Sequence, residues 1–171
     1  MYLKHNMSVP HTVFIIPYRN RPLEKEGLDI FLNKLRTDRN WSEDEMKVFY
    51  INQLDNKRFN RGAMKNLGFL YTKNHYPEDY KNMTFIFHDV DFHPKSTTLL
   101  SYSAEIGKIE HYYGFDFVLG GVFSIKGADF EKTGGFPNFW GWGLEDNVMY
   151  QRALDNDIVV DRSNFFKIYD K

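Results

Sequence analysis

The sequence predicts an α/β domain built on a mixed, mostly parallel sheet flanked by helices. Short apolar runs rich in β-branched residues alternate with longer stretches whose apolar residues recur every three or four positions, which is the pattern of strands joined by helices. The chain has 171 residues, 42% of them apolar and 18% aromatic, enough for one substantial core and short for two. Polar loops open where the apolar runs stop, and α/β sheets bind their ligands at such strand ends.

Taken in order, residues 1–11 read as an N-terminal extension and residues 12–171 as one catalytic-size domain. The run "TVFIIP", Thr12 to Pro17, is a buried strand closed by proline. Pro22 to Arg36 carries Leu23, Leu28, Phe31, Leu32 and Leu35 behind a proline suited to a first helical turn, so it predicts an amphipathic helix. "MKVFYI", Met46 to Ile51, is a second strand. Asn60 to Asn74 places Ala63, Met64, Leu67, Leu70 and Tyr71 on one face of a second helix. "MTFIFHDVD" supplies a third strand, Phe117 to Ile125 a further apolar segment, and Leu144 to Leu154 a last helix after the turn-rich "KTGGFPNFWGWG". No internal repeat or linker interrupts this order.

The charge balance narrows the partners. With 22 basic and 23 acidic side chains, a formal net charge of −1 and no long block of like charges, nothing in the chain predicts binding to nucleic acid or to an anionic membrane surface. The chain has no cysteine, so disulfides and thiolate metal sites are excluded. No run approaches the length of a membrane span, and the opening residues lack the apolar middle of a signal peptide. The expected location is the cytoplasm, unless the chain is a soluble domain of a larger or secretory-pathway protein.

The most informative stretch is "FIFHDVDFHP", Phe85 to Pro94, where two aspartates and two histidines end an apolar strand. On an extended chain Asp89, Asp91 and His93 share one face and His88, Val90 and Phe92 the other. Two carboxylates this close are tolerated beside a cation or in water, and oxygen ligands with one imidazole suit a hard divalent ion. A solvated turn or a cap for the next helix explains the same residues. A similar pair of readings attaches to "PYRNR", where Arg19 and Arg21 suit a phosphate or uracil edge and Tyr18 a stacked ring, or are simply solvated. Phe59 and Arg61 repeat the aromatic-plus-arginine pairing at a helix start that favours an anion, or Asn60 simply caps the helix with Phe59 packed beneath it.

Four blocks in order carry a resemblance. "IIPYRNR", "FNRGAMKNLGF", "FHDVDFHP" and "GGFPNFWGWGLEDNVMYQR" together resemble the catalytic domain of the β-1,4-galactosyltransferase family, inverting glycosyltransferases of GT-A fold. The resemblance implies a UDP-sugar donor, a carbohydrate acceptor and Mn2+, with Mg2+ as the alternative ion. It implies nucleotide-sugar contacts from Pro17, Tyr18, Arg19, Arg21, Phe59, Arg61, Asp89, Val90, Gly121 and Trp142, and metal coordination by Asp91. No histidine follows His111, where the family carries further ligands, so His93 is the imidazole available to join Asp91; the alternative is a plain loop histidine. Asp146 matches the family's catalytic base, and Glu145 orients sugar hydroxyls beside it. Asn147 stands where family members carry another Asp.

Indole rings pack on the C–H faces of sugars, so Trp142 is assigned to the site and Trp140 to packing; the alternative is a hydrophobic loop that plugs the core, with Glu145 and Asp146 simply favourable at the start of the next helix. Gly120 and Gly121 let the backbone approach a sugar, or mark a bulge. Val118 falls where galactosyl members carry Tyr, and its smaller side chain leaves room for an acetamido group, which favours UDP-GalNAc or relaxed choice over UDP-Gal alone. The competing readings are a glycan- or nucleotide-binding module without catalysis and a polypeptide-GalNAc-transferase-like or polysaccharide-polymerase domain. His5, His11, His75 and His111 show no ligand spacing.

Overall fold

Strand β1, Thr12–Tyr18, is almost wholly buried because it runs between two parallel neighbours, β2 (Met46–Asn52) and β3 (Thr84–His88). Its pairing with β3 stops at Ile15 opposite Phe87, so Pro17, which has no N–H to donate, lies where only β2 is alongside. A computed structural model describes residues 9–167 of the chain. The five residue-level expectations of strand, helix, strand, helix, strand are met by β1, α1 (Pro22–Asp38), β2, α2 (Arg61–His75) and β3. Beyond them come β4 (Lys108–Gly114), β5 (Val122–Lys126), α3 (Gly127–Thr133), α4 (Glu145–Asp155), β6 (Val159–Asp161) and β7 (Phe166–Lys167).

The sheet order is β2-β1-β3-β5-β4-β6, with β7 also on β4, and β5 alone runs antiparallel to its neighbours. The two faces follow from side-chain alternation along the strands. Val13, Ile15, Phe85, Phe87, Phe123 and Ile125 meet Phe69 of α2, Phe130 of α3 and Met149 of α4 on one side. Phe14, Ile16, Ile86 and Val122 meet Leu28, Phe31, Leu32 and Leu35 of α1 on the other, as the helical spacing predicts. Leu23 does not join them; it is exposed at the first turn.

Helix α2 is rotated from the expected face. Leu67, Leu70 and Tyr71 are about half exposed, whereas Gly62, Met64, Lys65, Gly68, Phe69 and Thr72 turn inward. Small residues are required there because the helix lies close to the sheet: a Cβ on Gly68 would stand 2.6 Å from Cγ2 of Ile15. The extended reading of "HDVDFH" also ends early. β3 stops at His88 and the chain turns at Val90 and Asp91, so the two-residue alternation does not carry from Asp89 through His93. His88 is fully buried, donates through Nδ1 to the Asp89 carbonyl at 2.8 Å, and is pushed down to about 4 by burial.

Candidate active site

The carboxyl ends of β1, β2 and β3 open on one edge of the sheet, and the reversed strand β5 brings its entry loop, Gly120 and Gly121, to the same edge. That loop is tied to the exit of β3 by Asp89 N–H donating to the Gly121 carbonyl at 3.0 Å. Two helix starts complete the edge. α2 is capped by Asn60, whose side chain accepts from Ala63 N–H at 2.9 Å, so its first residue, Arg61, is held at a fixed place. α4 begins after Leu144, held at φ 69°, and puts Glu145 and Asp146 in its first turn, where the helix dipole favours acids.

Arg61 gathers these pieces. Its guanidinium donates to Glu145 Oε1 from Nε at 2.9 Å and from Nη2 at 2.7 Å, to Asp146 Oδ2 at 2.6 Å, and to Asp89 Oδ2 at 3.1 Å. Three carboxylates from two segments therefore share one fork, and the Asp89 charge foremost raises the guanidinium's already high pKa. Burial pushes the Asp146 carboxyl above its ordinary value, against the pull of Lys65 and Arg61. The Asp146 side chain keeps 14% exposure, enough for contact with a ligand. Gly120 is glycine for a local reason: a Cβ there would lie 2.2 Å from Asp146 Oδ2.

Two cavities, of about 670 and 700 Å3, meet at this cluster and share Arg61, Asp89, Asp91, Trp142 and Glu145. The first extends toward Pro17, Arg19, Arg21, Phe59 and Val90, the residues assigned to the nucleotide. The second extends toward Val118, Gly121 and Asp146, the residues assigned to donor choice, donor contact and the base. Arg19 is propped over the first cavity by bonds from Nη2 to the carbonyls of Asp55 and Lys57 and lies 5.9 Å over the Phe59 ring. Arg21 pairs with Glu24 at 2.9 Å.

Several assignments change. Tyr18 is not on either cavity wall; it packs edge-on to Tyr50 at 5.9 Å. His93 lies away from both walls, with Nε2 donating between the carbonyls of Glu24 at 3.0 Å and Val90 at 3.2 Å and its ring against Gly27. That nitrogen is spent on backbone, so His93 is not brought together with Asp91 as a ligand set, and among the described residues no group of three or more His, Cys, Asp or Glu is placed to hold a metal. Trp140 is not core packing: it is 46% exposed, with Lys57 Nζ 4.7 Å over its ring. Trp142 is 90% exposed on the rim of both cavities. His111, for which no ligand role was expected, is a buried and satisfied ring, bonded to the Gly120 carbonyl at 2.9 Å, to the Tyr113 carbonyl and to Arg162.

Sequence reasoning missed Arg58, Phe115, Phe117 and Leu144 on the walls, and Lys65 behind Asp146. Only Lys65 left a signal, being one helical turn from Arg61 and thus on the same face.

Two family models cover nearly the whole chain: the N-terminal region of glycosyl transferase group 7 matches residues 4–103, and the N-terminal domain of galactosyltransferase matches residues 100–170. The chain belongs to the β-1,4-galactosyltransferase family. It is 31% identical over 172 residues to β-1,4-galactosyltransferase 7 of Drosophila melanogaster, covering 95% of this chain and 51% of that one. To β-1,4-galactosyltransferase 1 of Bos taurus it is 32% identical over 165 residues, covering 91% of this chain and 39% of the relative. The chain thus spans about half or less of the length of these galactosyltransferases. The crystal structure of the catalytic domain of the Drosophila enzyme with xylobiose superposes with a TM-score of 0.75 at 26% identity, over 89% of this chain and 64% of that one. A mutant of that enzyme in complex with manganese, UDP-Gal and xylobiose gives the same TM-score at 25% identity. The family's GT-A fold is the fold of this chain. No helix among the described residues is long and apolar enough to cross a membrane.

Proposed function

We propose that this chain is a metal-dependent inverting glycosyltransferase domain that moves galactose or N-acetylgalactosamine from a UDP-sugar to a hydroxyl of a glycan acceptor. The observation that carries the reading is the Arg61 fork, which holds Asp89, Glu145 and Asp146 at the junction of two cavities. The first cavity takes the nucleotide: Arg19 and Arg21 offer fixed positive charge to a diphosphate, and Phe59 offers a ring face. The second takes the transferred sugar and the acceptor, with Trp142 as the exposed indole wall.

Asp146 is the general base. As the acceptor oxygen bonds to the anomeric carbon, its proton passes to the Asp146 carboxylate, while the bond from the anomeric carbon to the UDP oxygen breaks on the opposite face and UDP leaves with that electron pair. A pKa raised by burial strengthens the carboxylate as a base. Glu145, 4% exposed and fixed by two bonds from Arg61, orients a sugar hydroxyl. Asp89 serves the ribose side; its Oδ1 is buried with no hydrogen-bond partner among the described residues, an acceptor for a ligand hydroxyl.

Asp91, on the wall common to both cavities, fits a hard divalent ion as an oxygen donor. Mn2+, or Mg2+ in its place, would offset the charge developing on the leaving diphosphate. Val118 on the second cavity is the donor-selectivity position, and its small side chain makes UDP-GalNAc acceptable beside UDP-Gal.

The test is transfer from UDP-Gal and from UDP-GalNAc to xylobiose with Mn2+, read as UDP release and as the anomeric configuration of the product. Asp146→Asn should lower kcat by roughly three orders of magnitude and leave calorimetric UDP binding intact. UDP binding with no turnover under any condition would support a nucleotide-binding module instead, and no UDP binding with or without Mn2+ would refute the donor site.

A further inference from the structure

Lys65 is fully buried, yet its Nζ makes no hydrogen bond among the described residues. The ammonium sits 4.6 Å from the centre of the Phe136 ring and 5.9 Å from that of Phe123, with an aromatic wall around it. The only ion-pair partner it reaches among the described residues is Asp146, with Nζ 3.6 Å from Oδ1, and that oxygen is itself buried and without a hydrogen-bond partner. Arg61 occupies the other oxygen, Oδ2. The two edges of the carboxylate are thus divided between two cations on one face of α2. A bare amine in an apolar pocket costs stability unless a charge repays it.

We propose that Lys65 is a positioning residue for Asp146: its buried ammonium fixes the Oδ1 edge of that carboxylate and keeps it ionised, ready to accept a proton from an incoming hydroxyl. The charge balance supports this. Asp89, Glu145 and Asp146 face one guanidinium, and without Lys65 the cluster carries two uncompensated negative charges in a partly dry site. The groups facing Asp146 are Arg61 and Lys65 from α2, Asp89 from the end of β3, and Glu145 from its own helix. His111 of β4 stands behind Gly120 and, lowered to about 4 by burial and Arg162, is neutral over the range in which the enzyme would be assayed. Lys65 is therefore the cation whose removal Arg61 alone must absorb.

The kinetic consequence rests on the transferase reading above, whereas the pairing does not. The experiment combines carbon-13 NMR titration of the Asp146 side-chain carboxyl, assigned with Asp146→Asn, with the pH dependence of kcat, in the unsubstituted chain and in Lys65→Met. Removing the ammonium should move the Asp146 midpoint up by on the order of one pH unit. The acidic limb of kcat should move with it, costing roughly tenfold in kcat at a pH below the limb, with KM for the donor changing far less. A folded Lys65→Met protein with an unmoved carboxyl midpoint would overturn the proposal. A moved midpoint in a chain that transfers neither sugar at any pH would uphold the pairing and refute the transferase reading. If Lys65→Met does not fold, Lys65→Met with Asp146→Asn should recover stability, since the orphaned charge is gone; a double variant as unstable as the single would again overturn the pairing.

Discussion

Substituting Gly120 by alanine is a sharp probe of the base, because the three atoms nearest to the added one all belong to Asp146. The new Cβ would lie 2.2 Å from Asp146 Oδ2 and 2.6 Å from its Cγ, whereas ordinary contact begins near 3.4 Å, so the carboxylate must retreat by about 1.2 Å, the difference of the two. Gly120 lies outside the left-handed backbone region, unlike Gly121 at φ 69°, so alanine adds bulk without backbone strain. A misplacement of that size costs on the order of a hundredfold in kcat when the moved group takes part in proton transfer. The steric cost to the fold is about 1–3 kcal/mol, a loss of roughly 2–10 °C in Tm. Initial rates with UDP-Gal and xylobiose, alongside Tm and calorimetric UDP binding, separate the two effects. A Gly120→Ala chain that keeps kcat within threefold while Asp146→Asn is inactive would refute the placement of the base beside this glycine.

Asp91→Ala should abolish the part of UDP binding that EDTA removes and leave any metal-independent remainder, and calorimetry with and without Mn2+ reads this directly. Trp142→Ala should leave Tm within a degree or two, because the ring is 90% exposed, while raising KM for the acceptor by roughly tenfold; an unchanged KM would remove Trp142 from the acceptor wall. Stability should fall on acidification below about 6.5. His88 and His111 are lowered in the fold from 6.5 to about 4, so their contribution is complete above 6.5 and is lost as the pH falls toward 4, about 2 kcal/mol each by pH 5. Asp146, raised in the fold, acts in the opposite sense: what it contributes is present below its ordinary value of 3.8 and is lost as the pH rises through the raised one. A Tm that is flat between pH 7 and 5 would contradict the burial of both histidines as neutral rings.

The strands β1 and β3 and the inward face of α1 were legible because apolar spacing and burial coincide there. α2 was not, because counting apolar residues favours Leu67, Leu70 and Tyr71, while the inward face holds Gly68 for its close approach to Ile15 of β1, Gly62 for its approach to Phe136 and Pro137, and Lys65 beside Asp146. β4 hides for a related reason: "KIEHYYG" carries Lys108, Glu110 and His111 in a run that does not look apolar, yet His111 and Tyr112 are buried through hydrogen bonds. In the site, residue types were readable and partnerships were not. Arg61 and Glu145 are 84 positions apart, and only the closing of the sheet edge brings them to 2.7 Å. His93 misled because two-residue alternation was extended past the last paired residue of β3.

The reversed direction of β5 has a consequence for how this chain tolerates length changes. Because β5 enters at the same edge where β1, β2 and β3 leave, one missing or extra residue between Gly114 and Val122 would slide Gly120 past Asp146 and Gly121 past Asp89 together. The connection from His75 to Thr84 lies at the far edge of the sheet, where an insertion disturbs no wall of either cavity. Insertions and deletions should therefore be sorted by sheet edge: a loop library at residues 77–79 should retain folded, UDP-binding chains, and an equal library at residues 115–119 should retain few.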